Sequence, residues 1–165
     1  MQIRPATVQD VAAIELLRLR TWQRAYRGLV PAAFLDALRV TDEQLTRWAD
    51  RLSDPATTAW VADDGGIGAD GGGLVGMAVT GHCRDEDLAG RRELHALYVD
   101  ADRWRSGTGS ALLAAADARV PVEVLWVLKG NARARAFYAR HGFTADGASQ
   151  ELTIGGPVVE VRYRR

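Results

Sequence analysis

The chain has 165 residues, 47% of them hydrophobic and 25% charged, with 21 basic and 21 acidic side chains. That length accommodates one domain over residues 1–165 with a proper core, and the zero formal charge leaves no electrostatic footprint for nucleic acid or a membrane surface. Cys83 is the single cysteine, which excludes an intrachain disulfide or a thiolate metal cluster, and without an apolar signal core or a bilayer-length run the expected setting is the cytoplasm.

"QIRPA" reads as a short extended segment, after which Thr7 or Asp10 can cap a helix through a side-chain oxygen. Val11, Ile14, Leu17, Leu19 and Trp22 make a helical apolar stripe that runs to Tyr26. Gly28 ends it, and Pro31 opens a short helix with Phe34, Leu35 and Leu38. A third helical pattern starts at Thr41 and carries Leu45, Trp48 and Leu52. "TTAWVAD" is a strand, "DGGIGADGGG" a glycine-rich hairpin tip, and "LVGMAVTGHC" the returning strand. Another strand, "ELHALYV", spans Glu93 to Val99. It is followed by a basic turn, "DADRWRSGTGS", and a small-residue, Leu-rich helix. "VEVLWVLK" is a buried strand, "NARARAFYARHG" a helix with Asn131 at its start and Gly142 at its end, and "ELTIGGPVVEVRYRR" a closing hairpin. Helices that come early and then alternate with strands imply a mixed sheet covered by helices.

The turn is the informative stretch, because two glycines at a helix N-terminus can hold a phosphate on free backbone amides. A triphosphate-binding P-loop needs a lysine after its second glycine. The only lysine is Lys129, so that reading fails. A dinucleotide fingerprint needs Gly or Ala three residues past the second glycine; Leu112 stands there. What remains is a strand, a turn and a helix in which the amides from Arg105, Ser106, Gly107, Thr108, Gly109 and Ser110 converge, with Arg103 or Arg105 adding charge. That arrangement suits a pyrophosphate.

"WRSGTG", Trp104 to Gly109, resembles the pyrophosphate motif of the GNAT superfamily of acyl-CoA N-acyltransferases, in which Gln or Arg is followed at fixed spacing by Gly and then Gly or Ala. Trp104 departs from it at the first position, where the family works chiefly through backbone amides. "ELHALYV" is similar to the family's fourth strand, "NARARAFYARHGF" carries the Asn, Ala, Phe-Tyr and Gly-Phe of its following helix, and the N-terminal segment through "AYRGLVP" is similar to the opening of small bacterial members. The resemblance covers essentially the whole chain. It implies an α/β (α+β) fold: a twisted, mostly antiparallel sheet of about seven strands flanked by about four helices, with a splay between strands 4 and 5.

The resemblance also implies the chemistry. Acetyl-CoA would be the cosubstrate, with no metal, gripped by the turn and by backbone pairing to Leu97, Tyr98 and Val99, with Asn131 as a further contact or a plain helix cap. Tyr138 would protonate the leaving thiolate, and Glu93 would be the base, with His95 as helper or alternative and water as a relay that needs neither. Period-two alternation places Glu93, His95, Leu97 and Val99 on one face. Trp22, Trp60, Trp126 and Phe137 read as packing, Tyr26 as packing or acceptor wall, and His141 as a helix C-cap. Asp85, Glu86 and Asp87 could attract a cationic amine, and read more simply as a solvated loop. The function implied is acetyl transfer to a primary amine of a small molecule or peptide in a ternary complex, in a monomer or a homodimer paired through the closing hairpin. The alternative is an acyl-CoA-binding sensor without catalysis.

Overall fold

The computed structural model describes residues 1–65 and 73–165. The expected glycine-rich hairpin tip falls mostly outside the described residues. The strands and α-helices are β1 (Gln2–Pro5), α1 (Val11–Ala25), α2 (Ala32–Ala37), α3 (Asp42–Ser53), β2 (Thr58–Asp63), β3 (Leu74–His82), β4 (Arg92–Val99), α4 (Thr108–Arg119), β5 (Val124–Leu128), α5 (Ala132–Arg140), β6 (Thr144–Thr153) and β7 (Pro157–Arg164). The strands form one sheet in the order β1-β2-β3-β4-β5-β7-β6. Every neighbouring pair is antiparallel except β4–β5, which is parallel. Five α-helices flank it, the short helix opened by Pro31 being α2. β6 begins at Thr144, ahead of the expected closing hairpin, and is the outer edge strand.

Two apolar layers sandwich the sheet. On one face, Leu112, Leu113 and Ala116 of α4 and Tyr138 of α5 pack with Leu94, Leu125 and Phe143. On the other, Ile14 and Leu17 of α1 and Trp48 of α3 pack with Val61, Met77 and Val79. A smaller cluster of Val30, Leu35 and Leu128 seats α2 beside β5. α3 starts as its sequence dictates: Thr41 Oγ1 accepts the Gln44 N–H, and the Gln44 side chain returns a bond to Thr41. Buried Glu15 joins α1 to α3 by accepting from Arg18 (2.8 and 2.5 Å) and from the Trp48 indole (2.9 Å). No helix among the described residues is long and apolar enough to cross a membrane.

Asp10 does not cap α1 with its side chain. It accepts both guanidinium nitrogens of Arg4 (2.8 and 2.9 Å) and the Thr7 backbone N–H (2.8 Å), and Arg4 also reaches Asp63. These bonds, led by the one from Arg4, hold the Asp10 carboxyl below its ordinary 3.8. The folded state therefore binds this proton less readily than the unfolded chain. The stabilisation is complete above the unfolded value and is lost as pH falls through the lower folded one. Asp10→Asn is expected to cost about 1–3 kcal/mol at neutral pH, with the difference from wild type closing below about pH 4. Thermal melts across that range check it.

Candidate active site

β4 and β5 pair only at Glu93–Val124 and Leu94–Leu125. Beyond those two positions the strands diverge, while β4 stays paired with β3 as far as Val99. A parallel pair that splits partway leaves the inner edge of β4 without a strand neighbour, so the backbone groups on that edge are not committed to a β ladder. The wedge opens into a cavity of about 740 Å³.

On one side the cavity meets the turn. Gly107 takes φ +87° as the residue before α4, and Arg105 takes φ +63°. The first helical bond runs from the Ala111 N–H to Gly107 C=O at 2.9 Å. The amides of Thr108, Gly109 and Ser110 thus precede the helical ladder and have no carbonyl within it. Arg105, Gly107, Gly109 and Ser110 line the cavity, as do Leu97, Tyr98, Val99 and Asn131. Ser106 and Thr108 do not: the Ser106 hydroxyl donates to Arg103 C=O at 2.6 Å, and the buried Thr108 hydroxyl lies 2.8 Å from it. A Cβ on Gly109 would stand 3.2 Å from the Phe137 ring, so the close approach of α4 and α5 depends on this glycine.

Trp104 holds the motif's first position in its own way. Its indole N–H donates to Val99 C=O at 2.9 Å, and the Arg133 guanidinium stacks 3.3 Å above the ring centroid. Asn131 caps α5 by accepting the Ala134 N–H at 3.1 Å while bordering the cavity. His141 bridges the two helices. Its Nδ1 donates to Phe137 C=O at 2.9 Å, leaving Nε2, 3.0 Å from the Ser110 hydroxyl, as acceptor.

Tyr138 lies between the two sides. Its ring packs edge-on against Phe137 and Phe143, and its phenol borders the cavity without a protein hydrogen bond. Burial pushes this phenol well above its ordinary 10.

The expected common face of Glu93, His95, Leu97 and Val99 is not found. Val79 pairs with Ala96 but Thr80 pairs with Leu94, so His95 is an extra residue, a β-bulge. The bulge resets the alternation. Leu94, Leu97 and Val99 pack on the α4–α5 side, and Ala96 and Tyr98 pack with α1 and α3. Glu93 and His95 stay together, His95 Nε2 lying 3.7 Å from the Glu93 carboxylate. The local signal for this was Gly81. A Cβ there would sit 2.4 Å from His95 Cε1, so glycine makes room for the ring.

Glu93 is fully buried and does not border the cavity. Its carboxylate accepts the Arg84 backbone N–H at 3.0 Å and the Arg84 guanidinium. His95 does border it. Its Nε2 donates to His82 C=O at 3.0 Å, which fixes the tautomer and leaves Nδ1 with a lone pair. Burial lowers its pKa below 6.5, against the opposing effect of the His82 carbonyl and of Glu93, with Arg84 and Arg51 lowering it further.

The remaining walls include residues read as core. Trp22, Trp126 and Phe137 all line the cavity, as does Tyr26, whose ring centroid lies 5.1 Å from that of Trp22. The Asp85–Asp87 loop is not simply solvated: Arg162 takes Asp85 at 3.2 Å and Asp87 at 2.8 Å, and Asp85 also accepts the Trp126 indole. Arg20 anchors the far end of β4 through Asp100 (2.6 Å) and Leu74 C=O (2.5 Å).

Comparison with known proteins agrees with this architecture. The acetyltransferase (GNAT) family model matches residues 17–143. An uncharacterized N-acetyltransferase, YuaI, of Bacillus subtilis (strain 168) is 29% identical over 112 residues, which are 68% of this chain and 60% of that protein. The PaiA N-acetyltransferase of Thermoplasma acidophilum, solved in complex with coenzyme A, superposes with a TM-score of 0.73 at 17% identity, over 99% of this chain and 98% of that one. YncA of Salmonella typhimurium, a putative acetyltransferase solved with acetyl-CoA, gives 0.70 at 20% identity, over 100% and 92%. With a splayed parallel pair, a glycine turn at the start of α4 and a family match across the strands that build them, the chain belongs to the acetyltransferase (GNAT) family.

Proposed function

We propose that this chain is a single-domain N-acetyltransferase that moves acetyl from acetyl-CoA to a primary amine of a small molecule or peptide, both substrates being bound at once. The observation that carries the reading is one cavity with two unlike walls. Free amides and arginines lie on the α4–α5 side, and the His95 imidazole, its Nε2 bonded to His82 C=O and its Nδ1 left free, lies on the α1–α3 side. The donor set fits coenzyme A: the amides from Gly107 to Ser110 with Arg105 suit a pyrophosphate, and the unpaired edge at Leu97, Tyr98 and Val99 suits an amide-bearing arm. Acetyl-CoA supplies an activated thioester.

The protein's own groups then have two tasks. His95 Nδ1 takes the proton of the attacking amine, directly or through water, while Nε2 stays bonded to His82 C=O. Glu93, held by Arg84, positions that imidazole and favours its charged form as the proton arrives. Tyr138 holds a proton at Oη for the departing sulfur. Its raised pKa does not decide the transfer, because the desolvation that retains this proton also disfavours a thiolate formed beside it.

His95→Gln tests the base. The depressed pKa of His95 in the free protein puts its acid limb in the kcat/KM profile below pH 6.5, with kcat/KM rising as pH climbs through it. The variant is expected to lose about 100-fold in kcat and to flatten that limb, with acetyl-CoA affinity unchanged. Gly81→Ala, which displaces the ring without altering it, is expected to reproduce part of the loss.

A further inference from the structure

The charges around the cavity are not evenly placed. Arg103, Arg105, Arg133 and Arg140 belong to the turn and α5, the side assigned to the phosphates. Glu160 is the one carboxylate among the described residues that line the cavity. It stands on β7 opposite Leu128 of β5 and Gln150 of β6. Its neighbour Val161 packs towards α4 and α5, so alternation turns Glu160 to the α1–α2 face, where Leu128 packs with Val30 and Leu35. Its hydrogen bond is from the neutral Gln150 amide to Oε2 at 3.1 Å, and among the described residues no arginine forms an ion pair with it, Arg84 acting on it only at longer range.

The surroundings explain what such a carboxylate can do. Burial raises its pKa, which any cation beside it would offset. Tyr26, Trp22 and Trp126 line the same cavity as Glu160, and Trp126, two positions before Leu128 on β5, neighbours Glu160 on this face. Aromatic faces with one carboxylate are the chemistry that receives an ammonium. Arg84, the arginine that lines the cavity on this side, is bonded to Glu93 through Nε and Nη2, so an anionic group on the acceptor would compete with Glu93 for it.

We propose that Glu160 receives the ammonium of the acceptor, and that the acceptor is a cationic aliphatic amine with no carboxylate close to it. The assignment rests on the transferase reading, and on the acceptor entering from the face opposite the turn. There Glu160 holds the ammonium at the mouth, and His95 serves the nitrogen once it reaches the thioester.

The test is equilibrium titration of the CoA-saturated protein with 1,4-diaminobutane, with 4-aminobutanoate and aniline as comparators. Saturable binding of the diamine, at least tenfold tighter than either comparator, is expected. Glu160→Gln, which keeps the side chain's size, is expected to weaken diamine binding roughly 10- to 100-fold while leaving acetyl-CoA affinity as in wild type. Equal binding of the three amines by the wild type, absence of diamine binding, or an unchanged affinity in a folded Glu160→Gln protein would overturn it. The wild-type comparator series decides the matter even if the variant does not fold. Failure of the wild type to bind acetyl-CoA is a separate result and would instead remove the transferase reading.

Discussion

Gly109→Trp is expected to abolish acetyl-CoA binding in a calorimetric titration where the wild type binds. The reason is spatial. Even a Cβ at this position would stand 3.2 Å from Phe137 Cε2 and 3.3 Å from Cζ, with Val99 Cγ2 at 3.6 Å. An indole has no route between α4 and α5 and must project into the cavity, over the amides that would take the pyrophosphate. The alternative is to push α5 away, which also moves Tyr138 and Asn131. Either way the cradle is lost, a fall in affinity of at least about 100-fold, or about 2.7 kcal/mol. The fold itself is expected to tolerate the change to the extent that the tryptophan points outward, which circular dichroism checks. Undiminished binding by the variant would mean that the turn is not the phosphate site.

Tyr138→Phe is expected to separate catalysis from structure. The phenol packs through its ring against Phe137 and Phe143, and those contacts survive in phenylalanine. Its hydroxyl has no protein partner to orphan, so removal leaves stability unchanged or slightly higher. A residue that only packed α5 on the sheet would then show no phenotype. A proton donor at Oη would lose about 100-fold in kcat, the scale of one general acid, while acetyl-CoA affinity held. Unchanged kcat in the variant would assign the leaving-group proton to solvent.

The elements were legible in the sequence wherever a local signal fixed them. The capping box of Thr41 and Gln44, the Asn131 cap and the left-handed Gly107 need only their neighbours to be understood. The glycine turn was readable for the same reason, since the amides that a helix N-terminus leaves unpaired belong to the turn itself. The setting of Glu93 and His95 was not, because it is non-local. Strict alternation grouped Glu93 and His95 with Leu97 and Val99, and one extra residue in β4 separated them. Only the pairing with β3 reveals that bulge, and only the space over Gly81 shows why it is tolerated. Trp22, Trp126 and Phe137 were read as core because large aromatics usually are. A splayed sheet gives such residues a cavity to line. Glu160 carried no motif at all. Its place follows from the β6–β7 and β5–β7 registers, which bring a hairpin distant in sequence against the mouth of the wedge.

The central claim is that this wedge joins an acetyl donor to an amine. The most direct measurement is mass spectrometry of the products formed from isotopically labelled acetyl-CoA and 1,4-diaminobutane, with free CoA counted in parallel. The account predicts labelled N-acetyl-diamine in one-to-one ratio with CoA, abolished in Gly109→Trp and strongly reduced in Tyr138→Phe. Tight acetyl-CoA binding with no labelled amide from this or any other amine would contradict it and leave a protein that binds the cofactor without using it.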